Sequence, residues 1–337
     1  RFSERTIEFA QSFDFPTTIV LRGSQAFSEI RRAETEYTAT EHEIISRVKI
    51  VYSNILAKQQ KLSLARENQS LAEDFAKKSS ARRTIGEGTH LEQLTANVQR
   101  SQALNAVESA TNELRIAMDE LELLLGERRG SPHSEFTLTN SMTYLPETIS
   151  LEQYLEMAKA SNTQLLASSL RRDIASTGYS LAWSSLLPSF SASYFRHTRD
   201  GVSGLYGVSL GVSLPLWFLF DQRGQIQIAS AELSIAEHEL GFASDSVIVA
   251  VRTAYYEKLI SERQLRLYQT EILPESDEIL RAAKASYHAG EITYLEFLQA
   301  KQTVLQARSS YIDVFLAYNV ARARLEQIVG RQLDSSL

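Results

Sequence analysis

The chain contains two stretches in which apolar and polar residues alternate, which is the period-two pattern of β-strands. The first, residues 6–16, places Ile7, Phe9 and Phe13 on one face and predicts a strand that Pro16 ends. The second, residues 188–216, has a weaker alternating run from Phe190, a polar link at 196–204 and then a stronger run. This stretch predicts a β-hairpin whose second strand alternates Gly and Ser with the apolar residues Tyr206, Val208, Leu210, Val212 and Leu214.

Two environments fit the predicted hairpin. A sheet in water usually carries Lys, Glu or Thr on its wet face. A membrane barrel instead turns apolar residues to lipid and small polar residues to a lumen, with aromatic residues at the interfaces. The face of Gly and Ser residues and the presence of Trp217 favour the membrane environment. In that case the five apolar residues of the second strand, at alternate positions from Tyr206 to Leu214, would face lipid. The pattern alone leaves both environments open.

Long stretches without Gly or Pro predict helices, two of which form a hairpin over residues 24–125. The first helix would run to Ile85, about 90 Å at the rise of an α-helix. The return helix has Val107, Leu114 and Leu121 seven residues apart, which is typical of a coiled-coil seam.

A second helical hairpin is predicted over residues 224–329, with Pro274 as its kink. Its return helix carries apolar residues every seven positions, namely Phe297, Val304, Tyr311, Tyr318 and Leu325. Shorter helices are predicted over 150–187, the first of them capped by Ser150 with Gln153 three residues later.

The two helical hairpins are copies of one sequence unit. Residues 86–94 read GEGTHLEQL and residues 290–298 read GEITYLEFL, an offset of 204 that continues to Gly126 and Gly330. Upstream the offset is 203, as between Leu62 and Leu265, and the strands align at an offset of 201. A shared register of this length indicates a duplicated structural unit.

The duplication predicts two tandem repeats, residues 1–126 and 150–330, joined by a linker at 127–149 and followed by a polar tail at 331–337. Tip turns are expected at 86–91 and 289–295, where Gly separates two helical patterns. The counterpart of residues 151–194 is absent from the front. The first repeat is therefore expected to be incomplete, with a segment preceding Arg1.

Composition argues against several classes of function. A formal net charge of −6 without a basic stripe gives no nucleic-acid footprint, and the absence of Cys excludes thiol chemistry in this chain. The six His are scattered without metal-site spacing, and neither a GxSxG nor a phosphate-binding loop occurs. We therefore expect neither an enzyme nor a cofactor.

The motifs together resemble the TolC-like outer membrane factors. They are the two Gly-x-x-Thr-x-Leu-Glu-x-Leu tips, Leu187-Pro188-Ser189-Phe190 at the strand opening, and the Leu-Glu-x-(Leu/Ile)-(Leu/Val)-Gly helix ends. The resemblance implies a homotrimer in a Gram-negative outer membrane, with a shared 12-stranded β-barrel in lipid and a long periplasmic α-barrel. It also implies a passive exit duct of an efflux or type I secretion system. An adaptor and an inner-membrane pump of the resistance-nodulation-division type would open this duct at its periplasmic tip.

The resemblance also assigns residues at the tip. Glu92, Glu296 and Gln299 would line the periplasmic aperture, and the tip turns that dock the adaptor would contain Gly86, Glu87, Thr89, Gly290, Glu291 and Thr293. Ile292 replaces an Arg that helps to close the tip of the prototype, so the resemblance does not predict a charge-based closure at this position.

Two rival functions remain open at this point. The chain could be a soluble or surface-attached coiled-coil scaffold whose strands pack on its own helices, or a pore-forming toxin that exists in soluble and inserted forms.

Overall fold

The computed structural model describes residues 4–126, 144, 149–199, 202–214 and 221–331, which are mainly helical with one small antiparallel sheet. The predicted class, mainly α with a small β part, is confirmed. Much of the predicted linker, the polar tail after Arg331 and Trp217 lie outside the described residues. The elements are β1 (Glu4–Phe13), α1 (Pro16–Thr84), α2 (His90–Leu124), α3 (Leu151–Ser161), α4 (Thr163–Ser184), β2 (Ser189–Arg199), β3 (Val202–Ser213), α5 (Asp221–Leu267), a π-helical turn (Tyr268–Ile272), α6 (Leu273–Ala289) and α7 (Tyr294–Val329).

The chain divides into two compact units. One comprises Arg1–Thr40 and Lys159–Ile248 and contains the sheet; the other comprises Glu41–Ala158 and Val249–Leu337 and contains both tip turns. No helix among the described residues is both long enough and apolar enough to cross a bilayer.

The sheet has the order β1-β2-β3 with antiparallel neighbours. Phe9 pairs with Tyr194, which pairs with Val208, so the apolar positions of all three strands share one face. The predicted polar link at 196–204 is wrong, because β2 continues to Arg199 and β3 begins at Val202. Pairing with β1 explains the difference, since His197 lies opposite Thr6 and the two side chains are 2.9 Å apart.

The first helix begins earlier than its glycine pattern predicts. β1 ends at Phe13, and Pro16 opens α1, where the missing N–H of a proline is no loss. Gly23 therefore lies inside a helix of 69 residues, at a cost of about 1 kcal/mol relative to Ala. At the other boundary, α4 ends at Ser184 rather than continuing to residue 187, because the position before Pro188 disfavours helical geometry.

The return helices bury their seams differently. In α7, four of the five apolar residues at seven-residue spacing are at most 2% exposed, namely Phe297, Val304, Tyr318 and Leu325. The fifth, Tyr311, is half-buried. In α2 the predicted seam is only half-buried, and the fully buried line consists of Ala96, Ala103 and Ala117. Ala117 packs on Val51 and Ile55 of α1. A search for large apolar residues misses a buried line made of small side chains.

Pro274 does not kink the helix by itself. The irregularity precedes it: the Leu273 N–H donates to the Tyr268 carbonyl, five residues back, and closes a π-helical turn. Pro274 then occupies the first turn of α6.

Candidate functional site

Two tip turns, one in each hairpin, have the same backbone conformation. Gly86 and Gly290 adopt φ of 83° and 77°, a left-handed conformation that Gly reaches without strain. Each following residue donates its N–H 2.9 Å to a carbonyl five residues back, Glu87 to Arg82 and Glu291 to Ser286. The predicted turns therefore have the geometry that their glycines require.

Each return helix is capped by a Thr at the equivalent position. The hydroxyl oxygens of Thr89 and Thr293 accept hydrogen bonds from the backbone N–H groups of Glu92 and Glu296. A threonine side chain at this position satisfies one of the four free N–H groups that begin a helix.

The two turns differ at their third residue. A Cβ on Gly88 would lie 3.0 Å from the Arg83 backbone nitrogen, so the first turn leaves no room for a side chain there. In the second turn the equivalent Ile292 is partly buried and packs on a hydrophobic cluster. Ile292 therefore makes an apolar contact at the position where the first turn has Gly88.

The two tip glutamates have different partners. The Glu296 carboxylate accepts hydrogen bonds from the Thr293 backbone N–H at 2.7 Å and the Thr293 hydroxyl at 2.8 Å. These two bonds lower the pKa of Glu296, and the bond from the backbone N–H has the larger effect. This exposed carboxylate is therefore ionised at neutral pH. The Glu92 side chain is only 15% exposed and bonds to the other hairpin.

Hydrogen bonds of the Tyr287 hydroxyl join the two hairpins at the tip. The Tyr287 hydroxyl of α6 donates to the Glu92 carboxylate of α2 at 3.1 Å. Arg82 of α1 lies 3.4 Å from both groups and also contacts the Glu87 carbonyl. Burial, and then the charge of Glu92, raise the pKa of Tyr287. The phenol is therefore a neutral donor to a carboxylate, a type of bond about twice as strong as one between neutral groups.

Aromatic packing reinforces this junction. Phe75 of α1 stacks on Phe297 of α7 with ring centroids 4.5 Å apart. Tyr287 and Tyr294 lie 5.4 and 5.6 Å from the Phe75 ring. The cluster therefore connects the first hairpin to both helices of the second.

A groove between the tip turns is partly apolar. Its lining includes Glu87, Glu92, Tyr287 and Gly290. Leu91 and Leu295, which occupy the same position in each turn, also line it and are 73% and 69% exposed. Gln299, on α7, is exposed. Of the predicted tip residues, the groove is lined by Glu87, Thr89, Glu92, Gly290 and Thr293. Glu296 and Gln299 are not part of this lining, so the groove contains only one of the two tip glutamates.

The sheet is a second candidate surface. Tyr206, Val208, Leu210, Val212 and Leu214 are 60–83% exposed. On the opposite face, a Cβ on Gly207 would lie 2.4 Å from the Phe195 ring, and one on Gly211 would lie 2.6 Å from the Ser191 hydroxyl. A side chain at either position would therefore have to displace a cross-strand side chain.

The sequence analysis missed the residues that join the hairpins. Tyr287 has no aromatic counterpart, since the equivalent position is Arg83, and Phe75 corresponds to Ile279. The repeat pattern therefore contains no trace of this junction. Among the described residues, no three His, Asp or Glu side chains are grouped so as to hold a metal ion.

Comparison with known proteins gives consistent relatives. The chain is 23% identical over 318 residues to the outer membrane protein TolC of Vibrio cholerae, covering 90% of this chain and 72% of TolC. It is 24% identical over 287 residues to the cobalt-zinc-cadmium resistance protein CzcC of Cupriavidus metallidurans, covering 83% of this chain and 66% of CzcC.

Solved structures share the fold. The outer-membrane channel OprN matches with a TM-score of 0.84 at 14% identity, over 98% of this chain and 81% of OprN. CusC matches with a TM-score of 0.80 at 16% identity, over 98% of this chain and 84% of that structure. Residues 154–331, more than half of the chain, match the model of the outer membrane efflux protein family, and the chain therefore belongs to that family of outer-membrane efflux channels.

Proposed function

We propose that three copies of this channel chain form one passive conduit through the outer membrane. A periplasmic adaptor and an inner-membrane pump, of the resistance-nodulation-division type, open it at its tip. The observation that carries the proposal is the bond between Tyr287 and Glu92, because it links two hairpins that would have to separate for the tip to widen.

The sheet supports insertion into lipid. Its apolar face, from Tyr206 to Leu214, is exposed in the single chain, and a lipid environment would remove the cost of that exposure. Within the described strands, β1 and β3 each pair only with β2. Unpaired strand edges are costly in lipid, so neighbouring copies would pair with them and close the barrel.

The helices support association of several copies. Exposed apolar residues recur every seven positions along α5 and are 52–76% exposed; they are Ile228, Ile235, Phe242, Val249 and Tyr256. A seven-residue stripe is typical of a helix that packs against another helix. We assign this stripe to the interface between copies in the homotrimer.

The tip residues support two proposed roles, a charged gate and a docking surface for the adaptor. Three copies would bring Glu296, Glu92 and Gln299 around a narrow opening, where the ionised Glu296 would attract cations. The turn residues Gly86, Glu87, Thr89, Gly290, Glu291 and Thr293 would form the adaptor surface. Leu91 and Leu295 would supply its apolar contacts.

Membrane extraction followed by conductance measurement tests the proposal. We expect the chain to require detergent for extraction and, after reconstitution in planar bilayers, to give channels of low conductance at rest. A scaffold would be extracted without detergent and would not conduct, and a toxin would occur in both soluble and membrane fractions. Either result would overturn the proposal.

A further inference from the structure

Between the long helix and the tip turn, the two hairpins lose their common register by one residue. From Leu62 to Gly86 there are 24 positions, but from Leu265 to Gly290 there are 25. The second hairpin therefore contains one additional residue between its long helix and its tip.

Burial locates the additional residue. On one side, buried positions match at an offset of 203, as in Val51 with Ala254, Ile55 with Lys258 and Leu62 with Leu265. On the other side they match at 204, as in Ala72 with Ser276 and Ser79 with Ala283. The step lies between Leu265 and Ser276.

The π-helical turn Tyr268–Ile272 occupies this interval. A π turn holds one more residue than an α turn, so it can absorb an insertion while the buried face stays in phase on both sides. Pro274 follows and removes one backbone donor. Thr270 and Ser276 donate their hydroxyls to the carbonyls of Arg266 and Ile272, a side-chain interaction that accompanies helix bending. In the first hairpin, α1 runs without interruption to Thr84.

We infer that this π turn is a one-residue insertion that acts as the hinge of the second hairpin. The inference rests on the proposed function, and it specifies which part of the chain bends when the tip opens.

The packing on either side fits a hinge. Before the turn, Leu265 is buried with Phe315 and Tyr318, and Glu262 accepts a hydrogen bond from Tyr144 at 2.6 Å.

After the turn, Arg308 pairs with Asp277 at 2.9 Å and with Glu67 of α1 at 3.0 Å. Between these two anchored parts, Thr270 and Glu271 are exposed, and the side chain of Gln269 donates to the Tyr311 hydroxyl of α7 at 3.2 Å. Helix irregularities between packed blocks are where bending concentrates.

Deletion of Thr270 tests the hinge. The deletion gives the second hairpin the spacing of the first, so we expect a continuous helix and intact assembly. In the wild-type background, Tyr287→Phe removes the bond at the tip and should raise conductance. In the background that lacks Thr270, we expect the same substitution to cause no rise. The matched control is deletion of Ser70 from the uninterrupted α1. That deletion rotates the downstream helix by about 100° and should abolish assembly.

Three results would overturn the inference. One is that deleting Thr270 abolishes assembly as deleting Ser70 does, which would mean that no additional residue is absorbed there. Another is that Tyr287→Phe still raises conductance in the deletion background. A third is that backbone amides at 269–273 of the wild-type protein exchange with solvent as slowly as those at 65–69 of α1.

A distance measurement separates failure of the hinge from failure of the proposed function. Because the chain has no Cys, spin labels can be attached at Lys77 and Glu278 alone. If no variant conducts, the proposed channel is wrong. The hinge still predicts a broader label distance in Tyr287→Phe than in the same variant lacking Thr270, and equal widths would refute it.

Discussion

Replacing Tyr287 with Phe should shift the tip toward its open state. The substitution removes the hydroxyl, which donates to Glu92 at 3.1 Å and accepts from Arg82 at 3.4 Å, and it keeps the ring in its aromatic cluster. Hydrogen bonds to charged groups contribute about 1.5–3 kcal/mol. A loss of that size changes the ratio of open to closed tips by about 10- to 150-fold per protomer.

The neighbouring ion pair should matter less. Arg82 is 44% exposed and lies 3.4 Å from the Glu92 carboxylate, and pairs of this kind contribute about 0–1 kcal/mol. We therefore expect Arg82→Gln to raise open probability only slightly. Glu92 would keep its tyrosine donor in that variant.

Single-channel recording in planar bilayers is the assay. Tyr294→Phe is the matched control, because Tyr294 belongs to the same cluster and its hydroxyl has no hydrogen-bond partner among the described residues. We expect long open events in Tyr287→Phe and resting behaviour in Tyr294→Phe. Equal open probabilities in the two variants, or a larger effect of Arg82→Gln, would refute the argument.

The same bond predicts how the tip responds to alkali. Burial and the charge of Glu92 raise the pKa of Tyr287 above its ordinary value of 10.0. A raised pKa means that the bond is fully present below pH 10.0 and is lost only as pH rises through the higher folded value. Conductance should therefore stay low at moderately alkaline pH and rise beyond it, and a rise at neutral pH would contradict the assignment.

Three further variants test other parts of the molecule. Gly290→Ala should lower the free energy of unfolding by about 1–2 kcal/mol, because Gly290 has φ of 77°. Gly23→Ala, inside α1, should raise the free energy of unfolding by about 0.4–1 kcal/mol. Thermal unfolding distinguishes the two variants. Leu210→Arg should destabilise the reconstituted protein by about 2–4 kcal/mol if the residue lies near the bilayer midplane. Ser209→Arg, on the other face of the strand, should chiefly alter conductance. Equal loss of assembly in the two variants would show that the faces are misassigned. Glu296→Gln, which retains a residue suited to the capping box, should weaken block by divalent cations added on the periplasmic side, and an unchanged block would leave this residue only its capping role.

Local patterns predicted much of the fold. The positive φ of Gly86 and Gly290 follows from glycines placed between two helical patterns. The buried seam of α7 was predicted from large apolar residues at seven-residue spacing. The family and its function, an outer-membrane efflux channel, were predicted from the same motifs and are confirmed.

The features that were not predicted depend on distant parts of the chain. The bond from Tyr287 to Glu92 spans 195 positions and has no counterpart in the other repeat. The extension of β2 through His197 depends on pairing with Thr6. The change of offset from 203 to 204 was visible in the sequence, but only the backbone identifies it with a π turn, because an insertion in a helix can also be absorbed by a loop or a kink.

The alanine line of α2 also affects the symmetry of an assembled channel. Two tandem repeats in each of three chains would supply six related hairpins, which could be arranged with nearly six-fold symmetry. Small side chains, Ala96, Ala103 and Ala117, form the buried line of the first return helix, whereas large ones such as Phe297 and Tyr318 are buried in the second; interaxial distances of helix pairs vary over about 8–10 Å with the side chains at the contact. In the trimer proposed above, the two kinds of hairpin would therefore differ in their packing. The symmetry of such a ring would be three-fold and only approximately six-fold.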